Sequence, residues 1–283
     1  MPVTVGDLLD GAAARLRAAG VDTARLDARV LLGHAMDAAP ESLLPGSTRP
    51  VSHDAAQAFQ DLVDRRAARE PVSHLTGQRE FYGRPFRVTP DVLDPRADSE
   101  VVVDLALSFV PDGEPARIAD LGTGSGCLLL TLLAERPGLT GVGVDSSVAA
   151  LEVARGNARA LDLQDRATFL ESDWLQGLAG RFDLIIANPP YIPAADIMTL
   201  APEVRQYEPR AALDGGADGL DPYRTILGGA GPVLRPGGII VVEHGFDQHP
   251  AVAEIAVAAG LEPVQQVCDL AGIVRGQAFR WPE

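Results

Sequence analysis

The chain has 283 residues, 46% hydrophobic and 22% charged, a globular composition long enough for two domains with separate cores. Its formal net charge is −15, from 39 acidic and 24 basic residues, which disfavours duplex DNA and favours a basic partner. No apolar run reaches the length of a membrane span, and Asp7 and Asp10 lie where a signal peptide would carry basic residues. Cys127 and Cys268 lie in apolar surroundings without metal-ligand spacing. We therefore expect a cytoplasmic protein with reduced, buried thiols, no metal ion and no membrane contact.

Residues 1–70 carry three stretches in which apolar residues recur at helical spacing. They run from Leu8 to Leu16, from Leu26 to Ala35 and from Ala55 to Val63. The pattern predicts a small helical bundle. By pattern alone, such a bundle serves dimerisation or scaffolding as readily as substrate recognition.

Residues 71–100 are predicted to connect this bundle to a larger domain over residues 101–283. Pro71 to Gly77 has the composition of a linker. From residue 80 to residue 93 apolar side chains alternate around a Gly-Arg-Pro turn, which predicts a β-hairpin.

The larger domain has the pattern of a doubly wound α/β fold. Short apolar runs near residues 117, 141, 167, 183, 238, 263 and 274 predict strands, and helical patterns separate several of them. The first of these strands leads directly into a glycine turn, followed by an apolar helical segment from Cys127. The turn consists of Gly122, Thr123, Gly124, Ser125 and Gly126. Strand, glycine turn and helix are typical of a nucleotide site, but Cys127 replaces the last glycine of the dinucleotide fingerprint.

Asp145 ends the second predicted strand, about twenty residues after the glycine turn, where a carboxylate accepts both ribose hydroxyls of a nucleotide. The alternative is that Asp145 caps the helix that begins near Ser146.

The tetrapeptide Asn188-Pro189-Pro190-Tyr191 follows the apolar run Asp183 to Ala187. Two consecutive prolines end the strand there, since neither can donate a hydrogen bond to a neighbouring strand. Asn188 is thus placed at the carboxyl edge of the sheet, where α/β proteins bind ligands. Alone, an Asn-Pro-Pro sequence is equally typical of a simple turn.

Together these blocks resemble class I S-adenosylmethionine-dependent methyltransferases. More closely they resemble the HemK family, the protein-(glutamine-N5) methyltransferases that act on peptide-chain release factors in translation termination. Further blocks of the family pattern are Arg79 to Gly83, Val92 to Glu100, Tyr207 to Gly216, Asp218 to Leu220, and Asp269 to Gly272 with Arg275. The resemblance covers most of the chain from about Pro71 onward.

The resemblance implies a mostly parallel, seven-stranded, Rossmann-like sheet with one late antiparallel strand. It also implies S-adenosyl-L-methionine as cofactor, a release factor as protein substrate, and substrate recognition by residues 1–70. We expect a monomeric enzyme, and we expect it to make no direct contact with nucleic acid. Where the family pattern has a second proline, this chain has Ala97, which puts the rigidity of that segment in doubt.

The same resemblance assigns roles to single residues. The glycine turn, Asp145 and Asn188 contact the cofactor, while Asp173 and Trp174 flank its adenine. Asn188 and the Pro189 carbonyl hold the substrate NH₂, and Pro190 and Tyr191 complete the substrate site. An amide nitrogen is a poor nucleophile, so two acceptors that stabilise its growing positive charge suit its methylation. For Trp174 and Tyr191 the alternative is a place in the core.

Three other functions stay open. The tetrapeptide also suits a glutamine methylase of a ribosomal protein or a nucleic-acid N6-adenine methyltransferase, although the net charge of −15 disfavours the latter. A cofactor-sensing module without activity would not need the intact tetrapeptide. The stretch between Tyr191 and Leu220 has little periodicity, and a loop this long is a candidate for closing over the substrate.

Overall fold

The computed structural model describes residues 3–283, which divide into two compact units. The first unit extends to Gln78 and also includes Ala201–Tyr207. The second unit comprises Arg79–Leu200 and Glu208–Glu283. A short segment from late in the chain therefore belongs with the N-terminal residues, a division that the sequence pattern does not indicate.

The α-helices are α1 Val5–Ala18, α2 Ala24–Met36, α3 His53–Ala67, α4 Val72–Thr76, α5 Glu100–Ser108, α6 Cys127–Glu135, α7 Val148–Ala160, α8 Pro202–Tyr207, α9 Asp221–Gly229 and α10 His249–Ala258. The strands are β1 Gln78–Phe81, β2 Arg84–Arg87, β3 Ala116–Leu121, β4 Leu139–Asp145, β5 Ala167–Glu171, β6 Phe182–Ala187, β7 Leu234–Glu243, β8 Glu262–Cys268 and β9 Val274–Arg280. Within residues 3–283, every helix is too short or too polar to span a bilayer.

The first unit contains the predicted amphipathic helices, packed around one apolar core. Ser52 caps α3 by accepting a hydrogen bond from the Ala55 N–H. The prediction of a linker from Pro71 to Gly77 is wrong, because α4 occupies this stretch and buries Leu75 in the core. Pro71 and Gly77 are the cap residues on either side of this helix, and Gly77 has a φ of 74°.

Ion pairs hold the segment Ala201–Tyr207 within the first unit. Arg66 pairs with Asp27 at 2.7 Å and with Glu203 at 3.0 Å. Arg69 contacts the other carboxylate oxygen of Glu203 at 2.7 Å. The Arg66 and Asp27 side chains are both buried, so this network depends on mutual pairing for its stability.

The second unit is built on a seven-stranded sheet of order β5-β4-β3-β6-β7-β9-β8. β9 is antiparallel to both of its neighbours, and the other contacts are parallel. This topology confirms the predicted fold class, including the single late antiparallel strand. The strand order reverses direction between β3 and β6, which is where open α/β sheets form a ligand crevice.

Helices cover both faces of this sheet, because alternate residues of the central strands face opposite sides. Leu184 and Ile186 of β6 pack with α5 and α6, whereas Ile185 and Ala187 pack with α9 and α10. The predicted hairpin is present as β1 and β2, with Phe81 and Phe86 in edge-to-face contact.

The prediction of two buried thiols is wrong for one cysteine. Cys127 is half-buried at the start of α6, but Cys268 is exposed. Cys268 ends β8, one of the two edge strands of the sheet, and most side chains of β8 face solvent.

Candidate active site

One row of residues crosses the carboxyl edge of the sheet. Leu121 of β3 is in register with Val144 and Ala187, and Ala187 is in register with Val242. The residues that directly follow Leu121, Val144, Ala187 and Val242 in the chain are Gly122, Asp145, Asn188 and Glu243. Neighbours in register project from the same face of a sheet. The topology thus brings Asp145 and Asn188, the two strand ends predicted from the sequence, into one site. It also places Glu243 there, a residue that the sequence analysis did not identify.

The glycine turn needs its glycines for two different reasons. Gly122, Gly124 and Gly126 have φ values of 71°, 52° and 81°, a region that side chains disfavour. A Cβ on Gly122 would lie 3.3 Å from the Trp174 ring. A Cβ on Gly126 would instead meet Leu130 of α6 at 3.0 Å. Gly126 therefore serves helix packing, while Gly122 leaves room beside the indole.

Asp145 is not the cap of α7. Ser147 fills that role, because its hydroxyl accepts a hydrogen bond from the Ala150 N–H at 3.2 Å. The Asp145 carboxylate accepts the Gly124 N–H on one oxygen and the Ser147 N–H on the other, both at 2.9 Å. A carboxylate has about four acceptor sites, so each oxygen can accept one more hydrogen bond.

Asp120 lies fully buried in β3, two residues before Gly122. The Thr123 hydroxyl donates to one of its oxygens at 2.7 Å, while the other oxygen has no partner in the described part of the chain. Burial raises the pKa of Asp120 to about 7. The negative charge of nearby Asp145 also raises this pKa, whereas the hydrogen bond from Thr123 lowers it.

Asn157 of α7 is a second residue that sequence reasoning missed. Its amide nitrogen donates to the Ser125 carbonyl at 2.8 Å and the Arg87 carbonyl at 3.1 Å. Its oxygen accepts the Arg87 N–H at 2.8 Å. The side chain therefore ties the glycine turn to the hairpin. The sequence signal is weak: asparagine is a poor residue for a helix interior unless its amide has another task.

A cavity of about 250 Å³ opens at this edge of the sheet. The predicted residues that line it are Gly122, Thr123, Gly124, Ser125, Asp145, Asp173, Trp174, Asn188 and Pro190. Gly126, Pro189 and Tyr191 are not in the lining, while Arg96 and Ser99 are in it without having been assigned to the cofactor.

Tyr191 packs partly into the apolar core, and burial raises its pKa to about 12. Its carbonyl accepts a hydrogen bond from Gln248 at 3.0 Å. Gly219 passes close by, and a Cβ there would lie 2.3 Å from the same carbonyl oxygen. Gly215 likewise approaches the Pro190 carbonyl. The glycines after residue 214 thus allow the backbone to pack against the tetrapeptide.

An ion pair joins two walls of the cavity. One guanidinium nitrogen of Arg96 contacts both carboxylate oxygens of Glu208, at 2.6 and 2.7 Å. Burial raises the pKa of Glu208, and the positive charge of Arg96 opposes that rise. Pro209 follows Glu208 and lines the cavity, as Arg96 does. At Ala97, where the family pattern has proline, a short 3₁₀ turn still forms, so the ion pair can fix this wall without the second ring.

The cavity suits S-adenosylmethionine by the chemistry of its lining. It offers free acceptor sites on Asp145, a glycine turn that leaves the backbone open at the cavity wall, and the indole of Trp174. With the strand order of the sheet, these features define a class I S-adenosylmethionine-dependent methyltransferase, and S-adenosylmethionine is its cofactor.

Comparison with known proteins identifies the family. The PrmC N-terminal domain model matches residues 7–77, and the methyltransferase small domain model matches residues 101–203. A release factor glutamine methyltransferase of Cereibacter sphaeroides is 48% identical over 98% of this chain and 98% of its own. A release factor glutamine methyltransferase of Rhodospirillum rubrum is 47% identical over 95% of this chain and 83% of its own. The chain belongs to the release factor glutamine methyltransferase family.

The fold is also seen in a solved structure of a Thermus thermophilus 16S rRNA methyltransferase in complex with AdoMet and guanosine. It has a TM-score of 0.51 and 21% identity, covering 72% of this chain and 49% of that chain. The family, fold class and cofactor predicted from the motifs are therefore confirmed. The roles of single residues stay predictions.

Proposed function

We propose that this enzyme transfers the methyl group of S-adenosylmethionine to the side-chain amide nitrogen (N5) of glutamine in the Gly-Gly-Gln loop of a release factor. The observation that carries the proposal is the place of Asn188. It follows β6 at the carboxyl edge, lines the cofactor cavity and comes directly after Ala187, which is in register with Leu121 and Val242. The names of the relatives support a release factor as the substrate.

The chemistry follows from the acceptors around Asn188. The cofactor, when bound, would supply an electrophilic methyl group on a sulfonium. The N–CH₃ bond forms as the S–CH₃ bond breaks, the thioether S-adenosylhomocysteine is the leaving group, and the methylated nitrogen loses one proton to solvent. The Asn188 side-chain oxygen and the Pro189 carbonyl accept hydrogen bonds from the substrate NH₂. Positive charge grows on that nitrogen during transfer, so both acceptors bind the transition state more strongly than the ground state. Pro190 fixes the backbone that presents the Pro189 carbonyl.

Around the cofactor, we assign Asp145 to the ribose hydroxyls, with Asp173 and Trp174 beside the adenine. The Asp173 carboxylate accepts a hydrogen bond from Gln176 at 2.7 Å, which holds it at the cavity wall. Tyr191 lies outside the cofactor lining, and we assign its ring to the neighbouring substrate site. Its carbonyl, held by Gln248, keeps the tetrapeptide in place.

The experiment is labelled methyl transfer with three acceptors: an intact release factor, ribosomal proteins and DNA. Wild-type enzyme should label only the release factor, on the Gly-Gly-Gln glutamine, as read by mass spectrometry of the digest. Asn188→Ala should lower kcat roughly 100- to 1,000-fold, the usual cost of losing one group that stabilises transition-state charge. Calorimetry should show that this variant keeps most of its cofactor affinity. Label in DNA or in a ribosomal protein, with the release factor unmodified, would contradict the proposal.

We also propose that the first unit recognises the protein substrate. Leu26 of α2 and Leu44, which are 51% and 62% exposed on it, are apolar side chains that a bound protein would cover. Leu26→Glu should raise KM for the intact release factor but leave KM for a short Gly-Gly-Gln peptide unchanged. Val257→Glu, an exposed position in the second unit, is the control. Equal effects on both substrates would reject this role.

A further inference from the structure

Glu243 is a buried acid at the reaction edge with no role in the function described so far. It ends β7 and is the register neighbour of Asn188, one position beyond the pair Ala187 and Val242. It is only 3% exposed, and its Oε2 lacks a hydrogen-bond partner among residues 3–283. Its backbone is fixed, because its carbonyl accepts the Tyr223 hydroxyl at 2.8 Å.

The surroundings of Glu243 link it to Asn188. Burial raises the pKa of Glu243 to about 7. Hydrogen bonding from the side chains of Ser99 and Asn188 and the positive charge of Arg275 lower this pKa and so oppose the rise. The Asn188 amide nitrogen also donates to the Ser99 hydroxyl at 3.3 Å. Other ionisable groups that interact with Glu243 are Asp98, Cys127, Tyr191 and Tyr223. Arg275 is therefore the nearby cation that favours the ionised carboxylate.

The orientation of the Asn188 amide decides whether the site works. An amide has an accepting oxygen on one side and a donating NH₂ on the other. Only the oxygen can bind the NH₂ of a glutamine substrate, and the reversed amide would oppose one donor with another. The two orientations have nearly the same shape, so packing alone does not select between them. Groups that accept only on the far side would make the selection.

We propose that Glu243, as a carboxylate and together with Ser99, holds the Asn188 NH₂ and so turns the Asn188 oxygen toward the substrate nitrogen. An ionised carboxylate accepts hydrogen bonds and donates none, which excludes the reversed amide. Glu243 is thus a positioning residue for the methyl transfer, a role that rests on the proposed function.

Glu243→Gln tests the orientation at nearly constant shape. Glutamine brings its own NH₂, which can donate to the Asn188 oxygen and stabilise the reversed amide. We expect kcat at saturating cofactor to fall about 10- to 100-fold, because the misoriented amide no longer stabilises the transition state. Cofactor affinity measured by calorimetry should stay within about twofold. Glu262→Gln, the same change at an exposed position of β8, should have no effect.

Two readouts separate positioning from a structural role. In wild type, kcat should decrease as pH falls through about 7, because protonated Glu243 can donate, whereas Glu243→Gln should lose this dependence. In the Asn188→Ala background, Glu243→Gln should cost nothing further, because the group it positions is gone. If Glu243→Gln does not fold, Ser99→Ala is tested in the same cycle.

The outcomes are distinct. The positioning role would be overturned if Glu243→Gln kept the wild-type kcat. It would also be overturned if the loss of kcat in the double variant equalled the product of the losses in Glu243→Gln and Asn188→Ala. Failure of wild-type enzyme to methylate a release factor would overturn the proposed function instead.

Discussion

Replacing Asp145 with Asn should weaken cofactor binding, because the variant loses an acceptor that the ribose needs. Each Asp145 oxygen accepts one backbone N–H, from Gly124 and from Ser147, and keeps one free acceptor site. These two free sites match the two ribose hydroxyls. Asp145→Asn turns one oxygen into an NH₂ group, which cannot accept from the backbone or from the ribose.

The size of the effect follows from the hydrogen bond that is lost. A hydrogen bond to a charged group contributes about 1.5–3 kcal/mol, so the cofactor Kd should rise about 10- to 150-fold. Calorimetric titration with S-adenosylmethionine measures this, and thermal unfolding reports on the turn itself. The matched control is Asp183→Asn, since Asp183 also accepts a backbone N–H, from Arg117 at 2.8 Å, but at the opposite end of its strand.

A ribose contact can be told apart from an effect on the turn. A cofactor product analogue without the 2′-hydroxyl should lose affinity for wild type but much less for Asp145→Asn, since the two changes remove the same contact. If the variant weakens both ligands by the same factor, Asp145 acts only through the glycine turn and the ribose assignment is refuted.

Two more predictions concern buried groups. Burial raises the pKa of Asp120 from 3.8 to about 7, so the native state keeps a proton that the unfolded chain releases. The free energy of unfolding should therefore fall between about pH 4 and pH 7 and level off above, and urea unfolding of Asp120→Asn should show a flatter profile. Gly219→Ala should lower activity, since its Cβ would lie 2.3 Å from the Tyr191 carbonyl and φ is 76°. An active Gly219→Ala with unchanged kcat would show that the tetrapeptide does not depend on this contact.

The parts of the site that the sequence predicts are those set by local chemistry. Gly122 and Gly124 require positive φ, and Pro189 and Pro190 end a strand, so both strand ends can be placed without knowing the fold. Asp145 follows from its distance to the glycine turn. The cofactor cavity could therefore be outlined before any strand order was known.

The parts that the sequence does not predict depend on contacts between distant elements. Asn157 matters only because α7 lies between the glycine turn and the hairpin. The segment Ala201–Tyr207 joins the first unit through Glu203, whose partners Arg66 and Arg69 lie far away in sequence. Pro71 and Gly77 were misinterpreted because the same residues punctuate linkers and short helices.

Two of the buried acids, Asp120 and Glu243, give a physical reason to look for function where the sequence pattern gives no signal. Asp120 and Glu243 each keep one carboxylate oxygen without a partner among residues 3–283, and burial raises both pKa values to about 7. Such groups reduce stability, since apolar residues of similar size would pack there without a desolvation cost. Both project from the sheet face that carries Asn188. Glu243 lies at the reaction edge beside Asn188, where an amide to orient would offset the cost of burying its carboxylate.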